Sequence, residues 1–354
     1  MSLDPGFVHL HVHTAFSLRE GALGLARLVE LAEKDAQPAI GVADTNNLFA
    51  ALEFSEKAAK AGLQSLPGAQ ITVEFAAGSE RAAGRRERAF GNLVLIAKSR
   101  AGYLNLLRLC SRAHLDASPG EQPALTLADL ASDGADIIAL TGGPLGALDP
   151  LIADGRVAAA EARLKALAAL FPERLYVEIQ RHGLAAERAA EAPLLDLTYR
   201  LGLPLVATNE PFFATRADFD AHDALLCIAE GSVASQAERR RLTPEHYFKT
   251  REEMRALFAD LPEAVASSVE IARRCAFRPA TRNPIMPRFL RAAPQAGKEE
   301  LDAMEAQELR RQAREGLDGR LAVTGPARGL DRGDYEARLE FELDVIEKMR
   351  FPGY

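Results

Sequence analysis

The sequence lacks the features that most readily assign a protein to a class. It has only three cysteines, Cys110, Cys227 and Cys275, far apart and in no CxxC pair. That excludes a disulfide framework and a zinc knuckle, and it suits a reducing compartment. No apolar run approaches the roughly 18 residues a bilayer span needs. The start, MSLDPGFVHL, has neither the basic head nor the apolar core of a secretion signal. The expectation is a cytoplasmic protein with no membrane partner. GxxxxGKS/T, GxGxxG and GxSxG are absent too, so no phosphate loop, dinucleotide fingerprint or nucleophile elbow is offered. Nor is there a basic excess. The 43 Lys and Arg against 50 Asp and Glu leave a net charge of −7. Nucleic acid could be held only by a local patch.

What is present is a chain of 354 residues, 48% hydrophobic. That is enough for one large domain or two smaller ones with a real core. Short apolar runs alternate with amphipathic stretches. Strands are expected at 7–13, 38–43, 93–97, 136–140, 175–179 and 204–207. Helices are expected near 25–32, 48–62, 103–110, 156–171 and 184–201. Leu25, Leu28, Val29 and Ala32 follow the spacing of a helix with one buried face. Strand–helix alternation predicts a mostly parallel sheet covered by helices, closed or nearly closed into an α/β barrel. In such barrels the site lies at the C-terminal ends of the strands.

Residues 76–91 are rich in Gly and Arg and read as an exposed loop, with Arg81, Arg85, Arg86 and Arg88 forming a basic patch. Residues 283–297 carry three prolines and read as a connection. Two long charged helical patterns follow, at 298–322 and 335–349, the second with a stripe of Leu339, Leu343 and Ile346. The expected division is a barrel over 1–280 and a linker with helices over 281–354.

The densest signal is His9, His11 and His13, three of only seven histidines, placed at i, i+2, i+4 on a predicted strand. Alternation along a strand points all three to one face. Converging imidazoles are good ligands for zinc, manganese or iron. They serve equally well as hydrogen-bonded groups lining a polar barrel mouth, where buried polar atoms still need partners. Three further histidines read as structural: His114 and His246 at the surface, His222 packed on a helix. Arg239, Arg240 and Arg241 read as a short basic run in an exposed loop.

FVHLHVHTAFSLREGA resembles the first motif of the PHP (polymerase and histidinol phosphatase) superfamily. GVADTNNLFAALEF resembles its second. LVLIAKSRAGYLNLLRLCSRAH, LYVEIQRHG, LPLVATNE and LFADLPEAVASSVEIARRC are similar to bacterial DNA polymerase III alpha subunits, the replicative C-family polymerases. LEFELDVIEKMRFPGY resembles the stretch that leads into their palm. The resemblance implies a distorted (β/α)7-type PHP barrel with a mainly helical C-terminal extension that begins the palm. It implies a DNA-directed DNA polymerase as the parent protein, with magnesium at palm aspartates outside this sequence and no polymerase activity in this stretch alone.

It also implies a site. Active PHP sites use about nine ligands for up to three metal ions. His11 and His13 match the family's HxH pair. Glu20 stands at an acidic position, His182 at a family histidine, and Glu210 at an aspartate. Five positions depart from the pattern: Thr45 for histidine, Gln70 for glutamate, Asn92 for histidine, Gly143 for cysteine or histidine, and Phe212 for the second ligand of Asp-x-His. Neutral or ligand-free side chains there weaken a site that needs metals about 3.5–4 Å apart for phosphoester hydrolysis. The expectation is a degenerate hydrolytic site, with at most one weakly held zinc, manganese or magnesium ion on His11, His13 and Glu20 or Glu210. The module would act as a scaffold on which the proofreading exonuclease subunit docks, beside the other polymerase III holoenzyme subunits, with DNA met through the parent protein. A residual metal-dependent 3′–5′ exonuclease or phosphoesterase is the alternative.

Overall fold

The computed structural model describes residues 6–75, 89–236, 238–282, 288–290 and 297–354. The basic patch expected at Arg81, Arg85, Arg86 and Arg88, and most of the proline-rich connection, lie outside the described residues. The chain divides into two compact units, Met1–Thr281 and Arg282–Tyr354.

The first unit opens with β1 (His9–Val12), α1 (Leu25–Lys34), β2 (Ala39–Thr45), α2 (Ala51–Lys60) and β3 (Gln64–Phe75). Next come β4 (Ala89–Ala97), α3 (Arg100–Leu115), β5 (Leu125–Thr126), α4 (Leu127–Asp133) and β6 (Ile137–Leu140). After these lie α5 (Asp149–Ala153), α6 (Val157–Leu170), β7 (Leu175–Ile179), α7 (Ala185–Arg200) and β8 (Leu205–Ala207). Three further helices, α8 (Phe219–Glu230), α9 (Arg251–Leu257) and α10 (Pro262–Arg274), complete it.

Seven strands follow one curled path, β1-β2-β3-β4-β6-β7-β8, with β5 attached to β3. Most neighbours are parallel, but β4 runs antiparallel to both β3 and β6. Among the described residues no ladder joins β8 to β1. Even so, His11 on β1 reaches Glu178 on β7 at 2.8 Å, so the sheet curls until its two sides meet across the interior. This is a distorted seven-stranded α/β half-barrel of mixed direction, followed by helices.

Burial explains why these segments form these elements. In α1 the buried residues are Leu25, Leu28, Val29 and Ala32, the face the spacing predicts. The β6 strand is buried at all four positions, as expected of a strand covered on both sides. Each fully buried Leu or Ile in these layers stabilises by roughly 1.5–3 kcal/mol relative to exposure.

β3 is the element the sequence pattern hides. Pro67, Gly68 and Gln70 interrupt its apolar run, and proline belongs at strand edges or starts. The register shows how it is tolerated: Pro67 pairs with Val42 of β2, and the ladder to β4 begins only at Gly68. Gly68 is required by a close approach. A Cβ there would lie 2.8 Å from the Leu95 carbonyl oxygen.

The second unit contains α11 (Lys298–Thr324) and α12 (Arg332–Lys348). Asp331 caps α12, accepting from the Asp334 N–H at 3.0 Å. Of the expected stripe Leu339, Leu343 and Ile346, only Leu343 is fully buried.

Candidate metal centre at the barrel mouth

The site is built from the ends of β1 and β2, the middle of β3, Glu178 of β7, and the segments just past β7 and β8. All three histidines of the cluster are fully buried. His9 turns away from the other two. Its Nε2 meets the Lys249 carbonyl oxygen at 2.7 Å and its ring stacks on Phe248. Burial and the nearby Lys249 ammonium, partly offset by that hydrogen bond, lower its pKa to about 4. His9 is a neutral packing residue.

His11 sits at the centre. Its Nδ1 lies 2.8 Å from Glu178 Oε1, and its Nε2 lies 2.8 Å from Gln70 Oε1 and 3.6 Å from Glu210 Oε1. Oxygens on both sides accept, so both ring nitrogens carry protons. Burial pulls its pKa down, but the Glu178 and Glu210 carboxylates outweigh burial and raise it to about 9. Glu178 is itself fully buried and well supplied with donors. Beyond His11 it accepts from Gln180 Nε2 at 3.0 Å, the Gly142 N–H at 2.9 Å and the Thr208 hydroxyl. Burial opposes its charge, yet the His11 imidazolium and these bonds hold its carboxyl below the usual range. Glu210 likewise stays ionised against burial, held down by His11 and His13.

His13 Nε2 meets Glu210 Oε1 at 3.0 Å, and its Nδ1 meets Ser17 Oγ at 2.9 Å. Ser17 passes its own proton to Asp44 Oδ1 at 2.6 Å. Asp44 also accepts from the Thr14 N–H at 2.7 Å and the Thr14 hydroxyl at 2.8 Å. The loop after β1 is thus pinned to the end of β2 through one buried carboxylate.

The five expected remnants do not gather as one set. One nitrogen from His11, one from His13 and one oxygen from Glu210 lie within 4.8 Å of one another, a spacing one ion could bridge. Glu20 faces elsewhere, toward Thr45 Oγ1 and Arg240 Nη1, each at 2.6 Å. His182 is held by Glu187 Oε1 at 2.8 Å and Asn209 Oδ1 at 3.1 Å. Its ring stacks on His246 with centroids 3.9 Å apart.

Each of the five positions expected to depart from the family pattern is already engaged or filled. Gln70 covers the nitrogen of His11 that would face an ion. The hydroxyl of Thr45 is spent on Glu20. Asn92 Oδ1 accepts from the hydroxyl of Thr72, its pairing partner across β3 and β4, at 3.2 Å. The space above Gly143 is filled: a Cβ there would lie 2.6 Å from Gln180 Cδ. The ring of Phe212 stacks on His13, centroids 4.3 Å apart and 6° from parallel.

Two sequence expectations need correction. His246 is buried rather than at the surface, because it stacks on His182 and Thr243 hydrogen-bonds its Nδ1 at 3.1 Å. Burial, with His182 adjacent, drops its pKa well below the ordinary value. Of the arginine run, Arg241 is exposed as expected, but Arg239 and Arg240 are not free. Arg239 is almost fully enclosed, with Nη1 2.7 Å and Nη2 2.6 Å from the Asp223 carboxylate, and Arg240 reaches Glu20. His222 packs on α8 as expected, its Nε2 at 2.6 Å from the Glu20 carbonyl oxygen. His114 is exposed.

Sequence reasoning passed over Glu178 and Gln180. The available signal was an acid inside an otherwise apolar strand, LYVEI, with Gln180 and His182 following just past its end.

Residues 9–182 match the PHP domain family. The chain is 46% identical over 349 residues to DNA polymerase III subunit alpha of Caulobacter vibrioides, covering 99% of this chain. It is 34% identical over 350 residues to the same subunit of Treponema pallidum, covering 98% of this chain. The chain spans about 29% of the length of these relatives. Among solved structures it is similar to an amidohydrolase from Chromobacterium violaceum, at 16% identity and a TM-score of 0.38. That match covers 57% of this chain and 86% of the other. No helix among the described residues is long and apolar enough to cross a membrane. The chain carries a PHP domain over residues 9–182, and nearly its whole length is similar to part of DNA polymerase III alpha subunits.

Proposed function

We propose that this chain is the PHP module of a replicative DNA-directed DNA polymerase, with its hydrolytic metal site degenerate. It serves as a structural scaffold and as the docking site for a separate proofreading exonuclease subunit within the holoenzyme. The observation that carries the degenerate reading is the state of His11. Gln70 occupies Nε2, the nitrogen that would face an ion, so a neutral amide sits where a ligand bond would be. Two-metal hydrolysis needs two cations bridged by carboxylates. Here Gln70 is neutral and Glu20 is paired with an arginine.

One observation favours a second reading. The His11–His13–Glu210 triangle has the spacing of a single site. One divalent ion there, zinc or manganese, would displace Gln70 from His11 and hold the mouth together. A lone ion cannot form the two-metal clamp, so this reading remains structural rather than hydrolytic. The residual 3′–5′ exonuclease alternative needs release of nucleotides from single-stranded DNA with manganese or zinc, abolished by His13→Ala.

Titrating the chain with the C-terminal segment of the cognate exonuclease subunit tests docking. Binding at or below about 10 μM supports it, and none at tens of micromolar contradicts it.

A further inference from the structure

Glu20 stands where a PHP site places an acidic ligand, and it is engaged on every side. Its Oε1 accepts from Arg240 Nη1 at 2.6 Å, its Oε2 accepts from the Thr45 hydroxyl at 2.6 Å, and its backbone oxygen meets His222 Nε2 at 2.6 Å. Arg240 lies 220 residues away in sequence, on the segment between α8 and α9. A cation on a free loop would gain little from such a contact. This segment is braced on both sides of Arg240. Arg239 makes a two-pronged bond to Asp223 of α8, at 2.7 and 2.6 Å. The Thr243 hydroxyl donates to the His182 carbonyl oxygen at 2.8 Å. The guanidinium therefore arrives at Glu20 already positioned, and little side-chain freedom is lost in making the pair.

The chemistry of the two partners is complementary to the departures from the family pattern. Thr45, in place of a histidine, supplies a short donor to Glu20. Arg240 supplies a permanent positive charge and five N–H donors, with no lone pair for a metal. Together they satisfy both oxygens of a half-buried carboxylate.

We propose that Arg240 is an internal counter-cation: at Glu20 it supplies the charge that a metal ion would supply in a complete PHP site. In doing so it ties the α8–α9 segment to the loop after β1. The proposal deepens the degenerate-site reading and rests on it.

The test is a double-mutant cycle in the full 354-residue chain, read by thermal unfolding with and without added manganese. Arg240→Ala and Glu20→Gln should each lower the midpoint by about 2–4 °C, and the double variant should fall no further than either single one. Arg240→Lys, which keeps the charge, should lose less than Arg240→Ala. Manganese should raise the midpoint of Arg240→Ala, where Glu20 is freed, and leave the wild type unmoved. Strictly additive losses, or no loss in either single variant, overturn the proposal. A manganese shift of equal size in wild type and Arg240→Ala also overturns it. Failure of the degenerate-site reading has a separate signature: wild-type protein taking up two or more manganese ions by calorimetric titration.

Discussion

The barrel mouth and the helix pair α11–α12 both rely on carboxylate–cation pairs, in opposite surroundings. At the mouth, the His11 and Glu178 side chains are both fully enclosed. In the helix pair, Arg310 bonds Glu340 and Glu347, each at 2.6 Å, with its side chain 23% exposed and that of Glu340 42% exposed. A buried charge is expensive once its partner is gone, whereas an exposed one returns to water. The same type of contact should therefore be close to indispensable in the first place and minor in the second.

The largest effect should come from removing the buried partner. Glu178→Ala leaves the His11 charge with only Glu210 nearby, frees four groups that now donate to the carboxylate, and opens a cavity. The expected loss of barrel stability is about 3–5 kcal/mol by urea unfolding. A loss under ~1 kcal/mol would place the mouth in the same class as the helix pair.

Leu343→Ala should come next, at about 2–3 kcal/mol against the helix pair, because Leu343 is the fully buried apolar residue of α12. It is measured by loss of helical circular dichroism on heating.

The pH dependence sharpens the comparison at the mouth. The folded-state pKa of His11 is raised from 6.5 to about 9. Its stabilising contribution is therefore full below about pH 6.5 and lost as pH rises through about 9. Glu178 and Glu210 have lowered values, so their contributions are full above the ordinary glutamate range and lost as pH falls through their folded-state values. The unfolding midpoint should fall between about pH 7 and 10, and Glu178→Gln should flatten that slope. An equal slope in both proteins would remove His11 from the account.

The smallest effect belongs to the helix pair. Arg310→Ala should cost about 1 kcal/mol or less, and about 0.5 M salt should erase most of the difference by screening.

How much of this could be read from the chain follows the same physics. Periodic burial is local, so α1, β6 and β7 were legible from their own residues. β3 was not, because Pro67 and Gly68 make sense only once the register shows where the β4 ladder begins. The histidine cluster was legible in part: His11 and His13 converge on Glu210 as alternation along a strand suggests, while His9 turns to Phe248 and the Lys249 carbonyl. Their partners were not: Glu178 lies 167 residues from His11, and Arg240 lies 220 from Glu20. His246 was misjudged for a similar reason, since its burial depends on stacking with His182, 64 positions earlier in the sequence.

The most direct test of the central claim is metal content, by elemental mass spectrometry on untagged chain purified without chelator. The account predicts fewer than ~0.2 divalent ions per chain, on the proposal that Gln70 at His11 and Arg240 at Glu20 stand in place of ions. About two or three ions per chain would contradict it, restore a multi-metal phosphoesterase site, and make nuclease activity the leading explanation of the fold.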